Sequence, residues 1–296
     1  MVIADKWYPR LTFSVLRAKV LFNYGWKMLV SSVLCSLYYD IRSLIIGKKF
    51  STEDLAYYDR GQQFPVIMSN TLDNAIQSVM FPVMARSQDD TEKLKESLKR
   101  TISLGMLIVV PVMVGLAVVA RPLISLLLTD KWLPAVPYMQ CLCMAEIILP
   151  VMSSNLVAIK AMGKSGAYMK LEIIRRIVMI AILLTAIFAF GSVLTIAISA
   201  IIIAWVDTII IMLPMKRLLG YGIFEQFGDI WQTLLSAIMM GVVTFCVGMV
   251  PMPTVLCLAL QALVGVVTYV IATWFINRQT FNYILTMAKG FLNKSN

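Results

Sequence analysis

Four strongly polar side chains, Asn70, Asp73, Asn74 and Gln77, interrupt an otherwise apolar run. Their i, i+3, i+4, i+7 spacing puts them on one face of an α-helix. Gln63 continues the stripe, and Asp59 and Arg60 extend it toward the start of the segment. In a segment long enough to cross a bilayer such a stripe cannot face lipid, where a charge costs roughly 2.5–3.5 kcal/mol by insertion scales. It faces either neighbouring helices, as hydrogen-bonding glue, or water inside the protein. This many large polar groups in register exceed what glue needs. A hydrated cavity lined by Arg60, Gln63, Asn70, Asp73, Asn74 and Gln77 is therefore expected.

Other polar residues fall inside apolar runs. Ser32, Ser36, Asp40 and Ser43 form a similar stripe, with Arg42 about 200° around the helix from Asp40. Asp40 and Arg42 either line the cavity, with Asp40 paired to a cation from another segment, or snorkel at an interface. Glu146, Pro150, Ser153 and Asn155 share one run. A lone glutamate at that depth is a candidate ion-coupling site for a proton or cation, or a structural partner for a cation such as Arg60. Pro150 is expected to kink its helix. Arg175 and Arg176 stand at the start of a run, as the positive-inside rule places them, or as phosphate contacts suited to arginine's fork. Asp207 lies late in its run and is expected to be paired or hydrated.

The chemistry excluded is as informative. The chain has no histidine, which rules out a histidine-activated nucleophile or a histidine metal site. Its cysteines, Cys35, Cys141, Cys143, Cys246 and Cys257, lie in apolar runs with no C-x-x-C pair. No glycine-rich phosphate loop occurs. No cofactor, no metal and no nucleic acid partner is expected.

These residues need elements to position them. The 296-residue chain is 59% hydrophobic and 14% charged, with mean hydropathy +0.82. Soluble domains carry about 25% charged residues, so this is an all-α integral membrane composition. With roughly 20 apolar residues per crossing, about eight transmembrane helices are expected. They run over Phe22–Ile46, Tyr57–Ala85, Thr101–Ala120, Val136–Ile159, two within Ile173–Leu213 broken at Gly191–Ser192, then Ile230–Val250 and Thr254–Ile276. Pro251–Pro253 turns the chain between the last two. Arg121–Trp132 reads as a short apolar turn bounded by charge, and Leu218–Asp229 as an interfacial segment. The expected division is a connector or amphipathic arm over 1–21, a six-helix bundle over 22–217, an amphipathic segment with two further helices over 218–276, and a tail over 277–296.

Lysine and arginine set the orientation. One set of loops carries Lys6, Arg10, Arg17 and Lys19, then Arg86, Lys93, Lys95, Lys99 and Arg100, then Lys160, Lys164 and Lys170, then Lys216 and Arg217. The opposite side carries Lys48, Lys49, Arg121 and Lys131. The imbalance puts both termini in the cytoplasm.

Several stretches together resemble one family. Lys6–Ser14, "KWYPRLTFS", resembles the cytoplasmic connector of polysaccharide flippases of the Wzx class, in the multidrug/oligosaccharidyl-lipid/polysaccharide exporter superfamily. Tyr38–Pro65 is similar to that family's Asp, "IG" turn and Tyr-opened span. Val79–Arg100 resembles its exit and charged loop. Leu126–Leu142 and Asn155–Gly166 resemble its Trp-containing outer turn and "A-x-G" turn. Arg60 departs from the pattern, standing where a small residue is usual.

The resemblance implies the C-terminal bundle of a MATE-like exporter plus two extra helices, beginning at the connector, with a missing N-terminal six-helix half as partner. It implies flipping of an undecaprenyl-diphosphate-linked oligosaccharide across the bacterial inner membrane by alternating access, with membrane lipid around it and other polysaccharide-assembly proteins beside it. The alternatives are an ion-coupled multidrug or small-molecule exporter of the same superfamily, a membrane enzyme, and an inert truncated product. The short outer loops disfavour the enzyme.

Overall fold

The computed structural model describes residues 44–88 and 90–276, with isolated positions between 14 and 36. Asp40, Arg42, most of the first expected span and the tail after Ile276 lie outside the described residues. Among the described residues the major elements are helical and no strand occurs.

Helix α1 is Thr52–Arg86, 35 residues long. Ser51 caps it: the Asp54 amide donates to Ser51 Oγ at 3.0 Å, and the Ser51 amide reaches back to Asp54 Oδ2 at 3.4 Å. Helix α2 is Thr91–Val118, capped by Asp90, which accepts from the Lys93 amide at 3.1 Å. Next come α3, Ala120–Leu128, a 3-10 turn over Asp130–Ala135, α4, Val136–Glu146, and α5, Leu149–Ala161. Helices α6, Ser165–Phe190, and α7, Val193–Met212, meet at Gly191, whose φ of 59° ends α6 in the left-handed region that glycine favours. The short α8, Met215–Leu219, leads into α9, Ile223–Gly248, and α10, Thr254–Ile276.

Five stretches among the described residues are long and apolar enough to cross a membrane: Thr91–Val118, Asp130–Ala161, Val193–Leu219, Ile223–Gly248 and Thr254–Ile276. They coincide with the third, fourth, sixth, seventh and eighth expected spans. Helices α1 and α6 occupy the places of the second and fifth. Helix α10 begins at Thr254, where the eighth expected span starts.

Three local expectations change. The fourth span is not kinked at Pro150 but broken ahead of it, with α4 ending at Glu146 and α5 starting at Leu149. Pro150 then sits in the first turn of α5, where its missing N–H leaves no bond unmade. Gly105 of α2 makes room for it, because a Cβ there would lie 2.7 Å from Pro150 Cβ. Arg121–Trp132 forms α3 and half of the 3-10 turn. The segment Leu218–Asp229 is divided between the end of α8 and the start of α9, separated by Gly220 at φ 62°.

Helix α2 is the axis of the bundle. It packs against α1, α4, α5 and α9, burying Leu94, Leu98, Ile102, Met106, Val109, Val110 and Met113. Residues of α9 add Ile230, Ala237 and Met240 to the same core, so the final pair of helices is integral to it. A reciprocal amide pair joins α5 to α9: Asn155 Nδ2 donates to Gln226 Oε1 at 2.9 Å, and Gln226 Nε2 to Asn155 Oδ1 at 3.2 Å. Nearby, Lys99 pairs with Asp229 at 2.7 Å and Lys95 with Glu225 at 3.5 Å. A second core joins α4 to α6 and α7 through Leu142, Met179, Leu183, Ile196 and Ile203.

Candidate functional site: two polar faces of one helix

Helix α1 turns two different faces to its surroundings. Tyr58, Gly61, Pro65, Ser69 and Asp73 form the buried line, three or four residues apart. Arg60, Gln63, Asn70 and Asn74 lie on the exposed side. The stripe read as continuous in sequence is therefore divided. Asp73 and half-buried Gln77 join the bundle, exposed Asn70 borders a cavity beside the broken span, and Arg60, Gln63 and Asn74 face away from the bundle.

On the buried side, hydroxyls and carboxylates alternate between α1 and the broken span. Ser69 Oγ of α1 donates to Glu146 Oε2, the last residue of α4, at 2.7 Å. Ser153 Oγ of α5 donates to Asp73 Oδ1 of α1 at 2.6 Å. Gln77 Nε2 donates to Ser153 Oγ at 3.0 Å and lies 3.3 Å from both Ser154 Oγ and Asp73 Oδ1. Two carboxylates thus straddle the break at Ile147–Ile148, each accepting a hydroxyl proton from the opposite element. Hydrogen bonds of this kind are worth about 0.5–1.5 kcal/mol net each, so together they tie α1 to the broken helix.

Behind the break is a cavity of about 520 Å³ lined by Asn70, Glu146, Met152, Met179 and Asp207, among apolar side chains. It is within the usual range of small-ligand sites, about 300–1,000 Å³, and has the usual mix of apolar wall and few polar groups. Its floor adjoins a buried ionic cluster. Arg175 Nε and Nη2 donate to Asp207 at 2.5 and 2.6 Å, and Nη1 to Glu172. Arg176 Nη2 pairs with the same Glu172 at 3.2 Å. Two arginines face two carboxylates, so the cluster is formally neutral.

The remaining expected site residues fall as follows. Asn155 is buried in its amide pair with Gln226. Arg175 and Arg176, offered in sequence as phosphate contacts, are both buried against carboxylates. Arg60 stacks over Trp132, its guanidinium carbon 5.3 Å from the ring centroid. Glu172, Ser69 and Gln226 were not singled out in sequence. For Glu172 the signal was present, because it precedes Arg175 and Arg176 by three and four residues, the spacing of helical ion pairs.

Among the described residues outside the spanning segments, the surroundings of Asp90 and Tyr221 shift their titration from the ordinary range. Hydrogen bonds from Lys93, side chain before backbone, hold the Asp90 carboxyl below the usual aspartate range. Burial, and then the Asp229 carboxylate that accepts its proton at 2.6 Å, pushes the Tyr221 hydroxyl up. Neither sits at the cavity. Among the described residues no group of three or more potential ligands stands ready for a metal.

With this geometry in place, relationships become interpretable. Residues 1–137 match the profile of a family described as "Polysaccharide biosynthesis protein". The chain is 24% identical over 250 residues to the teichuronic acid biosynthesis protein TuaB of Bacillus subtilis (strain 168), covering 84% of this chain and 51% of that protein. It is 27% identical over 143 residues to the lipopolysaccharide biosynthesis protein WzxC of Escherichia coli (strain K12), covering 48% and 29%.

The N-terminal part of the chain, residues 1–137, is thus similar to polysaccharide biosynthesis proteins.

It is also 22% identical over 189 residues to the succinoglycan biosynthesis transport protein ExoT of Rhizobium meliloti (strain 1021), covering 64% of this chain and 37% of that protein. Its fold is similar to that of the lipid II flippase MurJ in an inward closed conformation, with TM-score 0.71 at 14% identity, over 93% of this chain and 58% of that one. The chain spans about half the length, or less, of the curated relatives it matches.

Proposed function

We propose that this chain is one lobe of a flippase that moves a lipid-diphosphate-linked oligosaccharide across the bacterial inner membrane for surface polysaccharide assembly. The observation that carries the reading is the double face of α1. One side is bonded into the bundle through Asp73 and Ser69, and the other presents Arg60, Gln63 and Asn74 outward, with exposed Asn70 at the mouth of the cavity between. In a membrane, exposed groups of this kind face water or another protein surface rather than lipid. A second helical lobe, enclosing a hydrated path against this face, meets that requirement. The names of the relatives and the flippase fold support the same reading.

Within this lobe each group has a part. Gln63, Asn70 and Asn74 line the path, with Asp40 and Arg42 of the preceding segment assigned to the same lining. Glu146, at the break and on the cavity wall, is the ion-coupling residue. Discontinuous helices at the midplane are where transporters commonly hold coupling ions. Arg175 and Arg176 act as internal counter-ions to Glu172 and Asp207, with their phosphate contact limited to a state in which those pairs open.

The decisive experiment is complementation in cells lacking their own flippase. The chain is expressed alone and together with a six-helix N-terminal half from a relative. Restored surface polysaccharide from the pair, and none from the chain alone, is the expected result. Restoration by neither would reject the flippase reading.

Orientation has its own test. Both termini are assigned to the cytoplasm, which places exposed Lys48 and Lys93 on opposite sides of the membrane. Single cysteines at these positions, in a background with the native cysteines removed, are expected to label from opposite sides with an impermeant maleimide. Labelling of both from the same side overturns the topology.

A further inference from the structure

A second cavity, of about 450 Å³, lies at the end of α1 nearest Ser51. It is lined by Ala56, Asp59, Arg60, Gln62, Gln63, Val66, Ile67 and Trp132. It lies well along α1 from the Asp73 network and is built differently. Trp132, from the 3-10 turn, is its aromatic wall. Tyr57 braces the indole edge-on at 5.9 Å between centroids, and Tyr57 is itself fixed by its hydroxyl donating to Glu53 at 2.8 Å. Arg60 lies over the indole, and its Nη1 donates to Gln63 Oε1 at 2.9 Å, which fixes the guanidinium. Neither Asp59 nor Arg60 forms an ion pair within 4.0 Å among the described residues, although they are sequence neighbours.

We infer that this cavity is a saccharide subsite, which takes a sugar ring of the transported glycan rather than its diphosphate. The inference rests on the flippase reading for the natural ligand and deepens it. The chemistry of the lining selects the class. Arg60 and the two glutamine amides donate, while Asp59 and the glutamine carbonyls accept. A sugar hydroxyl both donates and accepts, so it satisfies both kinds of group. A diphosphate only accepts, and it would meet the Asp59 carboxylate as a like charge. The aromatic wall supplies the apolar contact that a pyranose C–H face needs and a phosphate does not. The volume is within the range of small-ligand sites, roughly 300–1,000 Å³.

The test uses the purified full chain in detergent and a panel of probes: glucose, galactose, N-acetylglucosamine, glucuronic acid and inorganic pyrophosphate. Trp132 is read as the difference in emission between the native chain and Trp132→Phe. At least one saccharide is expected to change the Trp132 emission saturably, and pyrophosphate is not. Asp59→Asn is expected to weaken that binding by about tenfold, the factor carried by a lost charge-assisted hydrogen bond, and Gln62→Ala by about threefold, the factor of a lost neutral one. Circular dichroism confirms that the variants remain folded. A Trp132 signal from pyrophosphate alone, strengthened by Asp59→Asn, would make this a phosphate site and overturn the inference. So would the absence of any saccharide signal in the folded chain. Saccharide binding without complementation by the paired lobes would reject the flippase reading and leave the subsite standing. Complementation without saccharide binding would do the reverse.

Discussion

Replacing Asp207 with alanine is expected to be the most damaging single change in the bundle interior. Asp207 takes two hydrogen bonds from the Arg175 guanidinium, at 2.5 and 2.6 Å, and both side chains are almost fully buried. Removing the carboxylate leaves a guanidinium inside an apolar bundle with Glu172 as its remaining ionic partner, and Glu172 is shared with Arg176. Breaking one side of a buried pair costs about 3–5 kcal/mol, because the surviving charge is left uncompensated. The measurement is thermal unfolding of the detergent-solubilised protein, together with the fraction that elutes as a single monodisperse species. Asp207→Asn keeps an acceptor and the shape, so its loss should be smaller. The double variant Arg175→Met, Asp207→Leu removes both charges and should recover much of the stability lost by Asp207→Ala. A loss below about 0.5 kcal/mol in the single alanine variant, typical of surface sites, would refute the structural role of the cluster.

Gly61→Ala should act through contact alone. Gly61 is where α1 crosses the 3-10 turn and α4. A Cβ there would lie 2.8 Å from Tyr138 Cβ, 2.9 Å from the Ala135 carbonyl oxygen and 3.0 Å from the Met139 amide nitrogen. Two of those atoms are backbone, which no side-chain rotation relieves. The helices must separate, and overpacking of this kind costs about 1–3 kcal/mol. In the same experiment Gly166→Ala is the control. It lies in the first turn of α6 with nothing within 4 Å of its added methyl. There the better helix propensity of alanine should leave stability unchanged or raise it by up to about 1 kcal/mol. Equal behaviour of the two variants would show that the close approach at Gly61 is not a constraint. Separation of α1 from α4 should also move Trp132 from Arg60, so Gly61→Ala is expected to alter Trp132 emission as well.

Much of the fold was legible in the chain. Long apolar runs between charged loops have one solution in a bilayer, the helix, because the backbone must satisfy its own hydrogen bonds there. Breaks at Gly191–Ser192 and Pro251–Pro253 follow from the backbone freedom of glycine and the missing donor of proline. The helical stripe on α1 was equally readable, since a 3.6-residue period is a local property.

Which part of that stripe turns inward was not. Asp73 and Asn74 are neighbours in sequence, yet one is buried against Ser153 and the other exposed. Periodicity gives the angle between two side chains but not which neighbour each angle meets. Pro150 shows a related gap. Proline forbids an ordinary helix interior but is equally at home one position into a new helix, and the packing of Gly105 against it is compatible with the second outcome. The Arg175–Asp207 pair joins residues 32 apart on two helices, and the Arg60–Trp132 stack joins a long helix to a short turn. Sequence reading offered Arg175 to phosphate and Asp207 to an unnamed partner. Local sequence determines what each helix is and what it carries. Only the packing of helices far apart in the chain decided which carboxylate neutralises which arginine, because that choice depends on side-chain volumes across the whole interface.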